Sequence, residues 1–173
     1  MQESALKFIA LRDALRAQCP QEFRHTVNTE LCGRTLALHS AARIDTQTKI
    51  LGMIATKSTV YSTEQRMFAL EPNPLTAESA NNWWEYGRSL VDELVVPEPG
   101  HQFSMVSLII ACPQVDPRVG RGLRRLKYEP HYERGKLGWC SLRYAVIDLS
   151  DGRVYTNSMG APLANILKSA WDA

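Results

Sequence analysis

Apolar residues recur at helical spacing near the start of the chain. Phe8, Leu11 and Leu15 stand at i, i+3 and i+7, and Cys19-Pro20 ends the run, so a helix is expected over residues 4–18, packed by one face. From Phe23 the period changes to two. Phe23, His25, Val27, Thr29 and Leu31 alternate with Arg24, Thr26, Asn28 and Glu30, the pattern of a half-exposed strand. Cys32-Gly33-Arg34 supplies a turn, and Leu36 and Leu38 open a second strand ending near Ile44. Asp45-Thr46-Gln47 turns again into "KILGMIA". Two consecutive hairpins imply an antiparallel meander, and residues 58–71 continue it as a further strand until the prolines at 72 and 74.

Thr76 is the expected N-cap of a helix running to Val95. Trp83, Trp84, Gly87, Leu90, Val91 and Leu94 fall on its apolar face, opposite Glu78, Asn82, Glu85, Arg88 and Asp92. The two tryptophans therefore read as packing residues, in a core or in a symmetric interface. "FSMVSLIIA" at 103–111 is a buried strand. Asp116-Pro117 then reads as a helix start, Asp as N-cap and Pro at N1, opening a basic helix over 117–127. The stretches 139–149 and 154–157 flank Asp151-Gly152, a hairpin signal, and a last helix is expected over 162–172. The alternation of elements, without repeat or linker, predicts one α+β domain over residues 1–173. Its sheet is antiparallel or mixed and packs against about four helices.

Charge changes this picture at one place. Residues 118–143 hold eight Lys or Arg against Glu129 and Glu133, whereas the rest of the chain is net acidic. On a helical wheel Val119, Leu123 and Leu126 form a narrow stripe opposite Arg118, Arg121, Arg124, Arg125 and Tyr128. The arginines are expected in solvent, either as a solvated face or as a surface for phosphates. Like charges and two glycines, Gly120 and Gly122, make a poorly optimised helix, which favours a functional reading. The candidate anion-binding residues are Arg118, Arg121, Arg124, Arg125, Lys127, Tyr132, Arg134 and Lys136. Tyr132, with Tyr128, His131 and Trp139 nearby, is offered for stacking on unpaired bases.

Other chemistry finds little support. Gly120-x-Gly122 lacks the third glycine of a dinucleotide fingerprint, since Arg125 occupies it, and no phosphate-binding loop, nucleophile elbow or zinc-protease helix occurs. Cys19, Cys32, Cys112 and Cys140 are too dispersed for a zinc site and read as free thiols; Cys19-Pro20 and Cys112-Pro113 are weak grounds for haem. His25 and His39 face each other at best across the first hairpin. Asp45 with Lys49, Glu133 with Lys136, and Asp148 with Asp151 are fragments of a nuclease pattern that chance also produces. No catalytic residue, metal or cofactor is implied. The longest apolar run is about half the ~20 residues of a membrane helix, and Lys7, Arg12, Asp13 and Arg16 interrupt any secretory signal, so a cytoplasmic protein is expected. The expected partner is nucleic acid or another anion. A homodimer through an apolar helix face and a small-molecule enzyme are the alternatives.

Overall fold

The computed structural model describes residues 2–47 and 59–173. In chain order the elements are α1 (Gln2–Ala17), β1 (Arg24–Leu31), β2 (Arg34–Gln47), β3 (Thr59–Leu70), α2 (Ala77–Leu94), β4 (His101–Cys112), α3 (Val119–Leu123), β5 (Trp139–Asp148), β6 (Val154–Thr156) and α4 (Ala161–Trp171). They form an α+β domain with a mixed sheet in the order β1-β2-β3-β4-β5-β6. The β1-β2, β2-β3 and β5-β6 pairs are antiparallel, and β3-β4 and β4-β5 are parallel.

The first turn follows directly from its residues. Cys32 and Gly33 both adopt left-handed backbone, with φ of 47° and 76°, between the paired Leu31 and Arg34. Two such residues match the right-handed strand twist, and a glycine at the second position adopts this geometry at no steric cost. The expected second turn at residues 45–47 is absent: β2 runs through Asp45 and Thr46, paired with Tyr61 and Val60, to Gln47. Alternation of Ile44, Thr46 and their β3 partners outweighs the turn propensity of an isolated Asp. The "KILGMIA" strand lies outside the described residues.

Helices cover both faces of the sheet. On one face, Trp83, Trp84, Leu90 and Val91 of α2 and Val119 and Leu123 of α3 pack against Val106, Leu108, Ile110, Leu142, Tyr144 and Val146. On the other, Leu11 and Leu15 of α1 and Leu163 and Leu167 of α4 pack against Phe68, Ile109, Ala111, Ala145 and Ile147. Because successive strand residues point to opposite faces, a central strand covered on both sides must be apolar throughout, which is why "VSLIIAC" lacks alternation.

The α2 stripe is consumed by the chain's own sheet. Trp83 and Trp84 are each 5% exposed. The Trp83 indole N–H donates to Glu71 at 3.0 Å, and the Tyr144 hydroxyl donates to the Ala80 carbonyl at 3.1 Å. Thr76 closes the helix start through a reciprocal pair of bonds with Ser79. A homodimer would therefore have to use some surface other than this face.

Candidate anion-binding segment

The basic segment begins where β4 ends. The expected helix over 117–127 is reduced to five residues, Val119–Leu123, and Asp116 is not its N-cap: Arg118 occupies that position with helical backbone. The Asp116 carboxylate instead accepts from the backbone N–H of Arg118 at 2.9 Å and pairs with its guanidinium at 2.7 Å. These bonds hold the Asp116 carboxyl at about 2, below its ordinary value. Two glycines in five residues explain the short helix, and a competing pairing ends it. The N–H groups of Leu142 and Cys140 donate to the carbonyls of Tyr128 and Pro130, both at 3.0 Å, so residues 128–131 run along β5 in extended form.

Packing fixes the segment at several points. Val119 and Leu123 are buried. Gly120 lies under Tyr155; a Cβ there would come within 2.6 Å of the ring, so the close approach requires glycine. Asn157, fully buried, donates to the carbonyls of Leu126 at 3.2 Å and Leu142 at 3.1 Å. Its side-chain oxygen accepts from the N–H groups of Tyr144 and Gly160, both at 2.9 Å. No sequence signal pointed to this residue, because its partners lie on three separate elements.

The cations do not form a single face. Arg118, Arg121, Arg124 and Arg125 are exposed on α3 and at its two ends, beside the end of β5 that pairs with β6. Arg134 sits on a tight turn, Tyr132–Gly135, and Lys136 directly follows it, next to the start of β5, where Tyr132 N–H bonds the Gly138 carbonyl at 2.9 Å. At ~3.3 Å per strand residue, the two groups lie about 20 Å apart along β5. Lys127 lies between them and pairs with Glu129 at 2.8 Å. Arg121, Arg124, Arg125, Arg134 and Lys136 have no ion-pair partner among the described residues.

The aromatic residues are mostly engaged. Tyr132 is half-buried, meets His101 edge-on with centroids 6.0 Å apart, and has its phenol pushed upward by burial. Arg88 lies over the Tyr128 ring at 4.8 Å, and the Tyr128 hydroxyl donates to Asp92 at 3.2 Å. Trp139 stacks between Phe103 and His131. Beside the arginines, a shallow groove runs between α2 and α3, lined by Ala77, Ala80, Asn81, Arg118, Gly122 and Leu126.

The remaining candidates are structural or separated. His25 and His39 lie on opposite faces, since their register partners are Ser40 and Thr26; His25 bonds Ser40 at 2.7 Å and His39 bonds Gln65 at 2.6 Å. Asp148 accepts from the Val115 and Ser150 N–H groups and from the Ser150 hydroxyl, tying loops together. Asp45 pairs with Arg43, while Lys49 lies outside the described residues. Among the described residues, no three of His, Cys, Asp and Glu gather as a metal site, and no helix is long and apolar enough to cross a membrane.

No curated protein and no solved structure matches the chain. A family model described as Domain of unknown function (DUF8052) matches residues 12–169, from within α1 to within α4. The match takes in every strand and the whole basic segment, and the chain belongs to that family.

Proposed function

We propose that this domain is a non-enzymatic binding protein that holds an anionic partner, nucleic acid or a phosphate-bearing ligand, along segment 118–136. One observation carries the reading: Arg121, Arg124 and Arg125 are exposed together and have no carboxylate partner among the described residues. Their backbone is nevertheless anchored by Val119, Leu123 and the Asn157 bond to Leu126. Cations on a fixed backbone lose less entropy on binding than cations on a mobile tail. Arg118 adds to this group although Asp116 already neutralises much of its charge.

Lys127, Arg134 and Lys136 extend the path toward the start of β5, so an extended polyanion engages both groups and a small phosphate ligand only one. Tyr132, packed on His101, fixes the turn that carries Arg134 and Lys136. The carboxylates weighed for catalysis at Asp45 and Asp148 already serve structural bonds, which supports a binding role over a hydrolytic one.

The test is binding of a mixed-sequence oligonucleotide pool and of inorganic polyphosphate across a salt series. The logarithm of affinity should fall linearly with the logarithm of salt concentration. A variant carrying Arg118→Gln, Arg121→Gln, Arg124→Gln and Arg125→Gln should remain folded and lose most binding, because all four side chains are exposed and substitutions at such positions change stability little. Undetectable binding of both probes by the unaltered protein at ~50 mM salt, where phosphate contacts are strong, refutes the reading.

A further inference from the structure

Helices α1 and α4 cover only part of their sheet face, the part that carries Phe68, Ile109, Ala111, Ala145 and Ile147. Toward the N-terminal ends of the strands, the same face carries Ser107 and Met105 on β4 and Arg143 and Ser141 on β5, by alternation from Ile109 and Ala145. Ser107 stands beside Arg143 in register, and Met105 beside Ser141. Both serines are fully buried. Their hydroxyl oxygens and the Nε of Arg143 are the buried side-chain polar atoms without a hydrogen-bond partner among the described residues.

An orphaned buried polar atom is costly and rare, and each one needs a physical account. Here all three fall on neighbouring positions of two paired strands and face the same way. They form one patch of hydrogen-bond donors. The surroundings give it a sign: Arg66, opposite Ser107 on β3, is neutralised by Glu64 at 2.8 Å, whereas Arg143 has no carboxylate partner among the described residues. Two hydroxyls and a guanidinium suit a carboxylate or phosphate oxygen. On the same face, half-buried Met105 and the stacked pair Phe103 and Trp139, with centroids 5.7 Å apart, provide an apolar shelf.

We infer that this patch is a second binding site, for a small amphipathic anion. Its carboxylate or phosphate head bonds Ser107, Ser141 and Arg143, and its apolar body lies over Met105 toward Phe103 and Trp139. Each serine neighbours one long, part-exposed side chain, Arg143 or Met105, so the path from solvent to the hydroxyls runs past these two side chains. The site is separate from the α3 arginines, because α3 packs on the opposite face of the sheet.

Acetate, octanoate, inorganic phosphate and octyl phosphate serve as probes in thermal unfolding and calorimetry. Octanoate or octyl phosphate should raise the melting temperature and bind at least about tenfold tighter than its short counterpart, since the chain removes apolar surface from water. The preferred head group separates a carboxylate from a phosphate site. A Ser107→Ala, Ser141→Ala variant should melt higher than the unaltered protein without ligand, having lost two orphaned hydroxyls, and should lose the ligand-induced shift. Arg143→Gln should weaken binding at least about tenfold, as loss of a charge-assisted bond does. The quadruple α3 arginine variant should keep the shift, so this site and the basic segment stand or fall separately. The inference is overturned if none of the four probes shifts the unaltered protein at millimolar concentration. It is equally overturned if the double serine variant or Arg143→Gln retains full affinity.

Discussion

The side-chain amide of Asn157 donates to the carbonyl of Leu126 at 3.2 Å, tying the basic segment to the turn that precedes α4. The same side chain bonds Leu142, Tyr144 and Gly160, so one buried residue joins three parts of the chain. Asn157→Ala removes all four bonds and orphans buried backbone groups. The expected cost is at least about 2 kcal/mol, from two or more unsatisfied groups at about 1–3 kcal/mol each. Denaturant melts measure it. Limited proteolysis should also show faster cleavage between residues 118 and 130, because the anchor of that stretch is gone.

Gly120 and Gly122 are two residues apart on α3 and should respond oppositely to alanine. A Cβ on Gly120 collides with the Tyr155 ring, whereas a Cβ on Gly122 meets nothing within 4 Å. Gly120→Ala is expected to destabilise by about 1–3 kcal/mol through overpacking. Gly122→Ala is expected to stabilise by up to about 1 kcal/mol through helix propensity. Equal effects in the same direction would show that Tyr155 does not govern the docking of α3.

The contrast between α2 and α3 shows what the sequence made legible. The α2 helix is written locally: Thr76 caps it, and its tryptophans, Leu90 and Val91 share one stripe, so its bounds and buried face could be read directly. The helical wheel for 118–128 fails after Leu123 because the backbone of Tyr128 and Pro130 pairs with β5, a contact no local pattern encodes. For the same reason the seven cations looked like one group, but six of them occupy two ends of a strand with Lys127 between. The orphaned trio was hidden more completely. Ser107 interrupts an apolar run and Arg143 sits inside another; only the pairing of β4 with β5 makes them neighbours. The meander's first hairpin was visible in Cys32-Gly33, whereas the isolated Asp45 misled, since strand pairing outweighs a weak turn preference.

Burial pushes the thiols of Cys112 and Cys140 up to about 12 from an ordinary 9.0, and the Tyr86 phenol up to about 12 from 10.0. In each case the folded state keeps a proton that the unfolded chain releases. Their contribution to stability is complete below pH 9 and is lost as pH rises toward about 12. Denaturant midpoints should therefore fall from pH 9 upward, and a Cys112→Ala, Cys140→Ala variant should show a shallower decline. Thiol labelling at neutral pH should proceed first at exposed Cys32 and then at half-buried Cys19. Cys112 and Cys140 should react only on unfolding.

Ion pairing within the basic segment predicts unequal roles for its arginines. The Arg118 charge is matched by Asp116 at 2.7 Å, while Arg121, Arg124 and Arg125 are unmatched among the described residues. If a duplex binds here, each unmatched arginine releases about one counterion on contact, so each single Arg→Gln change should reduce the log–log salt slope by about 0.9. Arg118→Gln should change it less, because that residue must first exchange a carboxylate for a phosphate. Arg134 and Lys136, about 20 Å away along β5, should contribute only when the ligand spans the distance. Replacing both with glutamine should therefore leave a dinucleotide's affinity unaltered and lower that of a long duplex. Uniform slopes for all four α3 arginines, or an equal effect of the distant pair on both ligands, would contradict the two-group arrangement as the basis of binding.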